Sequence, residues 1–279
     1  MNIRSVRRSP ILFALCLCLV TPVVAAAAIL QLKTLQSWDE YIRFTEKRIT
    51  NELRGGSEFL RTDFMKPADA AKVQSALKSG KVYVERLKTL DDRGREIDVN
   101  GGLIHHWYGT IFVPAMKVDA LLRWIQDYDQ QHKYFKEVEQ SKLVSRNGDT
   151  FRIFLRLTRT KVVTVHYNTE HTVIYQNNGA GRASSRSFTT RIAEIENAGT
   201  ASEKEEPVGD DSGYLWRLNS YWRFREQDGG VVVECESVSL SRGIPFGFGW
   251  IIGDYVESIP RESLESALTS IRDGVKNIR

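Results

Sequence analysis

The chain is predicted to fold as an α+β domain in which a curved antiparallel sheet closes over one C-terminal helix. The first observation behind this is a pair of long alternating runs that meet at Asp228-Gly229-Gly230. Asp-Gly between two such runs is a strong hairpin signal, because both residues tolerate the positive φ of a type I′ turn. The second is the last segment, where Leu264, Leu268, Ile271 and Val275 recur at helical spacing and form a single apolar stripe. The third is a series of further alternating runs between these parts, each broken by a turn dipeptide.

Element by element, residues 37–53 read as a helix with Trp38, Tyr41, Ile42, Thr45 and Ile49 near helical spacing, closed by Gly55-Gly56. Pro67 opens a second short helix that runs to residue 77 and is closed by Ser79-Gly80. Strand character begins at Lys81, and residues 103–113 form a second β-rich run ended by Pro114. A helix follows with Val118, Leu121, Leu122, Ile125 and Tyr128 on one face. Residues 139–145 turn at Asn147-Gly148 into 151–160, and 162–175 turn at Asn177-Asn178-Gly179 into 185–195. An acidic loop over 198–213 precedes the last hairpin. Strands followed by a helix, a meander and a final helix read as α+β with an antiparallel sheet.

In the last hairpin Trp216, Leu218, Ser220, Trp222 and Phe224 share one face, which Cys235 joins from the second strand. The other face carries Tyr221, Arg223 and Arg225. A two-residue turn sets Arg223 opposite Glu234 and Tyr221 opposite Glu236. That face is expected to be wet, with Arg223–Glu234 an exposed ladder pair contributing about 0.2–1 kcal/mol.

Three domain-level parts follow: a signal peptide over 1–28, a helical N-terminal extension over 29–80, and a ligand-binding domain over 81–279. Arg4, Arg7 and Arg8 precede an apolar run over 11–24 and a small-residue tract over 25–28, the pattern of a cleavable secretory leader. Pro22 and the short run argue against a membrane span. The formal net charge of +4 falls to about +1 without those three arginines, which removes the basis for a nucleic-acid-binding protein. Cleavage would leave Cys235 as the one cysteine, so no internal disulfide is expected. A periplasmic or secreted location follows from the leader.

At the joints of these elements, Val113-Pro114-Ala115, Trp124-Ile125-Gln126-Asp127-Tyr128-Asp129 and Tyr134-Phe135-Lys136-Glu137-Val138 lead into the meander. Glu234-Cys235-Glu236-Ser237, Ile244-Pro245-Phe246 and Ile259-Pro260-Arg261-Glu262-Ser263-Leu264 bracket the entry to the last helix. Over roughly residues 81–276 this order and these motifs resemble the START-like (SRPBCC) helix-grip superfamily of polyketide cyclases, allergen-type carriers and lipid-transfer domains. Lys136 stands where members often carry proline. The resemblance implies a helix-grip fold with a ligand cavity under the C-terminal helix, usually for a lipid or another apolar molecule. It carries no catalytic motif, and fold alone does not decide function.

The expected cavity lining is Leu155, Val165, Tyr167, Trp216, Leu218, Ser220, Trp222, Cys235, Leu264 and Leu268. Large rings beside small polar groups would leave volume and orient a ligand's head; the same rings would also serve as ordinary core. Phe246, Phe248 and Trp250, set among glycines and a proline, suit either a lid touching ligand or membrane interface, or a loop packed over the core. No cofactor is expected. His105-His106 and His166/His171 point to opposite faces of their strands, which disfavours a zinc site. Cys235 lies mid-strand, away from any activating helix N-terminus. The expected function is therefore an exported protein that binds a lipid or similar apolar molecule, with transient membrane contact. Two alternatives stand beside it: a cyclase or aromatase using His171 or Tyr167, and an envelope interaction protein docking through an exposed patch at Trp38, Tyr41 and Ile49.

Overall fold

A computed structural model describes residues 28–161, 163–243 and 249–278. A short strand β1 (Ala28–Ile29) leads into helix α1 (Leu32–Leu53), a 3₁₀ turn (Arg61–Phe64) and helix α2 (Pro67–Lys78). Strands β2 (Tyr83–Arg86) and β3 (Gly102–Pro114) precede helix α3 (Val118–Ile125) and a second 3₁₀ turn (Tyr128–Lys133). The meander comprises β4 (Val138–Asn147), β5 (Thr150–Thr160), β6 (Thr164–Gly179) and β7 (Arg182–Glu196), followed by the short β8 (Lys204–Glu205) and β9 (Asp210–Asp211). The final hairpin, β10 (Arg217–Gln227) and β11 (Gly230–Arg242), is followed by helix α4 (Gly249–Gly274).

The main sheet is antiparallel, in the order β2-β3-β11-β10-β7-β6-β5-β4, with β8 added to β7; β1 pairs with β9 separately. Asp228 and Gly229 both have positive φ, 50° and 76°, as a type I′ turn requires. The register is the expected one, Arg223 opposite Glu234 and Tyr221 opposite Glu236. The α+β class and a sheet gripping its C-terminal helix are as anticipated.

One face of the sheet, here called inner, carries α4. Leu264, Leu268, Ile271 and Val275 are buried and pack with Ile111, Val113, Phe224, Val233 and Cys235. The approach is close: a Cβ at Gly109 of β3 would lie 2.6 Å from Leu268 Cδ1. Glycine is needed there for space, not for backbone freedom. At its other side α4 is tied to the end of β5, where Arg159 Nη2 meets Glu262 Oε2 at 2.7 Å and Lys161 Nζ meets Ser258 Oγ at 2.7 Å. The helix therefore spans the inner face from β5 to β3. A second packed cluster fills the β5–β6 end, where Phe151, Ile153, Val173 and Tyr175 meet Tyr128. The tyrosine hydroxyls bond to each other at 2.7 Å.

The outer face departs from expectation. Arg223, Glu234 and Glu236 are 2%, 1% and 3% exposed, so this face is buried, and Arg223–Glu234 is no solvated ladder. Helix α1 and the turn after it cover it. Trp38, Tyr41 and Ile49 form a cluster with Tyr221, Val238 and Leu240 of the hairpin. These three α1 residues are thus interior, and the exposed docking patch considered for them is absent. Alternation of arginines and glutamates in β10 and β11 reads as a solvated face only if nothing lies over it.

Two helix boundaries also differ. α1 begins five residues ahead of the expected start. α4 begins at Gly249, so Pro260 lies inside the helix rather than at its mouth. A mid-helix proline forfeits one backbone hydrogen bond, a cost that tertiary packing overrides here.

Candidate functional site

The strand pleat assigns every other residue to the inner face. Cross-strand registers then align a transverse row, Val173–Ser187–Ser220–Ser237–Trp107, over β6, β7, β10, β11 and β3. Ser187, Ser220, Ser237 and Trp107 are half-buried although they face inward, as are Leu155, Val165, Leu218 and Trp222. The residues of the two flanking clusters are buried. Three serines side by side fill far less volume than the Phe224, Ile111 and Leu268 packing next to them.

The anticipated lining residues fall into five places. Leu218, Ser220 and Trp222 lie on or beside this half-buried strip, whereas Leu155 and Val165 are half-buried farther along β5 and β6. Tyr167 is buried on the same face of β6. Cys235, Leu264 and Leu268 belong to the packed cluster beneath α4. Trp216 lies elsewhere: it precedes the paired ladder of β10, packs with Trp38 and Tyr41, and donates its indole N–H to Asp211 Oδ1 at 3.0 Å. Pleat alternation does not hold ahead of the ladder, which is why the sequence pattern misplaces it. Of the expected lid, Phe246 and Phe248 lie outside the described residues, and Trp250 falls in the first turn of α4.

Polar groups on the strip are bonded locally. Trp222 donates its indole N–H to Ser220 Oγ at 3.0 Å and stacks on Phe224 with ring centroids 6.3 Å apart. Leu218 N–H donates to Thr189 Oγ1 at 3.1 Å. Thr169 donates its hydroxyl to Leu155 O at 3.0 Å, and the His171 ring nitrogen Nε2 lies 2.9 Å from the same hydroxyl oxygen. Burial alone pulls the His171 pKa down to about 4. A neutral imidazole of that pKa is a hydrogen-bond acceptor and a weak base near neutral pH. Burial, reinforced by the Glu194 carboxylate, raises the Tyr167 phenol well above its usual range. Burial also pushes the Cys235 thiol up, which removes nucleophilic character.

The outer network is the other concentration of titratable groups, and sequence pattern alone did not reveal it. Glu236 meets Arg48, Arg223 at 3.6 Å and His106 Nε2 at 3.2 Å. Burial pushes its carboxyl up, but the bonds and charges of His106 and Arg48 outweigh this and hold it well below the usual range. Tyr41 accepts Thr89 N–H at 2.8 Å and donates to His106 Nδ1 at 2.9 Å, which leaves Nε2–H for Glu236. Glu234 accepts from Tyr108 Oη at 2.6 Å, from Thr62 Oγ1 and from the Arg61 and Thr62 amides. Glu52 takes Arg48, Arg61 and Arg223. Glu52, Glu234 and Glu236 are each held by three or more donors, which is the pattern of a structural network.

Among the described residues no three His, Cys, Asp or Glu side chains converge as a metal site. His105 bonds Ser241 on the inner side, and His106 bonds Tyr41 on the outer.

No family model matches this chain, and no curated protein matches it. Among solved structures it is similar to the STAR-related lipid transfer protein of Xanthomonas axonopodis, at 14% identity and TM-score 0.43 over 68% of this chain and 98% of that one. It is similar to the Zhui aromatase/cyclase of a Streptomyces species at 11% identity and TM-score 0.41, over 63% and 97%. Human STARD10 aligns at 7% identity and TM-score 0.43, over 78% and 82%. Likeness at this level concerns the fold alone.

Proposed function

We propose that this is an exported protein that holds a lipid or another apolar small molecule on the inner face of its sheet, beneath the span of α4. The observation that carries the reading is the strip of half-buried serines, with Leu218, Trp107 and Trp222, between two packed clusters. Its side chains are short or apolar, and the helix above is anchored at both margins. An acyl chain moved from water onto such a surface gains about 0.8 kcal/mol per methylene, so a medium chain suffices for tight retention. Export is supported by the basic, apolar and small-residue order of residues 1–28.

The test is native mass spectrometry of protein recovered from its own compartment, paired with uptake of lipids from vesicles. A bound mass that organic extraction identifies as a lipid is the expected result. Repeated recovery without any bound mass, together with no uptake, would overturn the binding reading. The same spectra report export, since a cleaved leader leaves a mature N-terminus near residue 28.

A further inference from the structure

Resting on that reading, we propose that His171 is the polar anchor of the bound molecule and selects a neutral hydroxyl head over a carboxylate or an ether. Thr169 has one hydroxyl hydrogen, and Leu155 O takes it at 3.0 Å. The Thr169 oxygen can then only accept from His171, so Nε2 carries the ring hydrogen and Nδ1 is left with a bare lone pair. Among the described residues Nδ1 has no partner. The side chain is 6% exposed and stands on the inner face between Ile153 and Thr189, its cross-strand neighbours.

An unpartnered acceptor in such surroundings calls for a donor. Thr189 supplies the complement. Its oxygen accepts Leu218 N–H, so its own hydrogen remains available about one cross-strand spacing from His171, roughly 5 Å between Cβ atoms. A ligand hydroxyl satisfies both, donating to His171 Nδ1 and accepting from Thr189. An ether oxygen can accept but cannot donate. A carboxylate would set a charge against a lone pair in a largely apolar stretch. Arg159 and Lys161, at the far end of β5, are engaged by Glu137 and Glu262.

The experiment compares 1-dodecanol, dodecyl methyl ether and dodecanoate, each delivered from cyclodextrin to the full-length mature protein. Intrinsic tryptophan fluorescence is the readout, because Trp107 and Trp222 border the strip. Dodecanol should bind about tenfold more tightly than the ether, the worth of one buried hydrogen bond. His171→Phe should bring the alcohol to within about twofold of the ether while ether affinity stays unchanged; His171→Gln, which keeps an acceptor, should restore part of the preference. Equal affinities of the wild-type protein for alcohol and ether, or tighter binding of dodecanoate, would overturn the inference and leave apolar binding standing. Failure of all three to bind would remove the binding reading and the anchor with it. The wild-type comparison decides the matter even if a variant does not fold.

Discussion

The two faces of one sheet solve burial in opposite ways. On the outer face, β3, β10 and β11 present Tyr108, Arg223, Glu234 and Glu236, and α1 with its following turn meets them with Arg48, Glu52 and Thr62. Each carboxylate there is engaged by several donors. On the inner face the same strands present Phe224 and Cys235, packed with Leu264, Leu268 and Ile271 of α4, and the half-buried Ser220 and Ser237. An ionic layer bonded this densely has its geometry fixed by directional contacts. On the proposed reading, a ligand would lie against the apolar layer where its side chains are short. Polarity of a strand face does not indicate which side is wet; what covers it does.

The largest effect expected from breaking this contrast is on the outer face. Glu236→Ala would leave Arg48 and Arg223 short of a partner and should cost about 3–5 kcal/mol in urea unfolding. A loss below about 1 kcal/mol would mean that the layer is hydrated and behaves like a surface pair.

Next comes pH. The folded pKa of His171, about 4, lies below its ordinary value of 6.5, so the unfolded chain binds the proton more readily. Its contribution to stability is therefore fully present above pH 6.5 and lost as pH falls towards 4, by about 3 kcal/mol in all. His171→Phe should lack that part of the acid sensitivity. Unfolding curves of both proteins at pH 7 and pH 4.5 check it, and parallel losses in the two would refute the assignment. His106 is likewise lowered, chiefly by burial, but it is common to both proteins and cancels.

Two substitutions on the inner face sharpen the comparison within that face. Gly109→Ala pushes a methyl into Leu268 and should destabilise by about 1–3 kcal/mol. Ser220→Phe, on the half-buried strip, should change stability by less than about 1 kcal/mol yet abolish uptake of an apolar ligand, because the ring occupies the space. If Ser220→Phe proves as costly as Gly109→Ala, the strip is packed solid and the binding reading fails.

Much of the fold was legible along the chain. Asp228-Gly229 set the hairpin register to the residue, and the Leu264–Leu268–Ile271–Val275 stripe named the face of α4 that is buried. The candidate site was legible in part. Alternation put Leu218, Ser220 and Trp222 on one face of the hairpin, whereas Ser187 and Ser237 join Ser220 in one row only through strand order. Trp216 packs with the α1 cluster because it sits ahead of the ladder, and the His171 tautomer depends on Thr169 and Leu155, contacts that residue order does not reveal.

Turn chemistry and residue periodicity act over a few bonds, so the amino-acid order by itself determined strands, turns, register and the apolar stripe of the last helix. Which face is covered, and by what, depends on contacts such as Arg48–Glu236 and Glu52–Arg223, whose partners lie far apart along the chain. Only the tertiary structure decided that the charged side would be dry, since burial is a property of neighbours in space and not of neighbours in sequence.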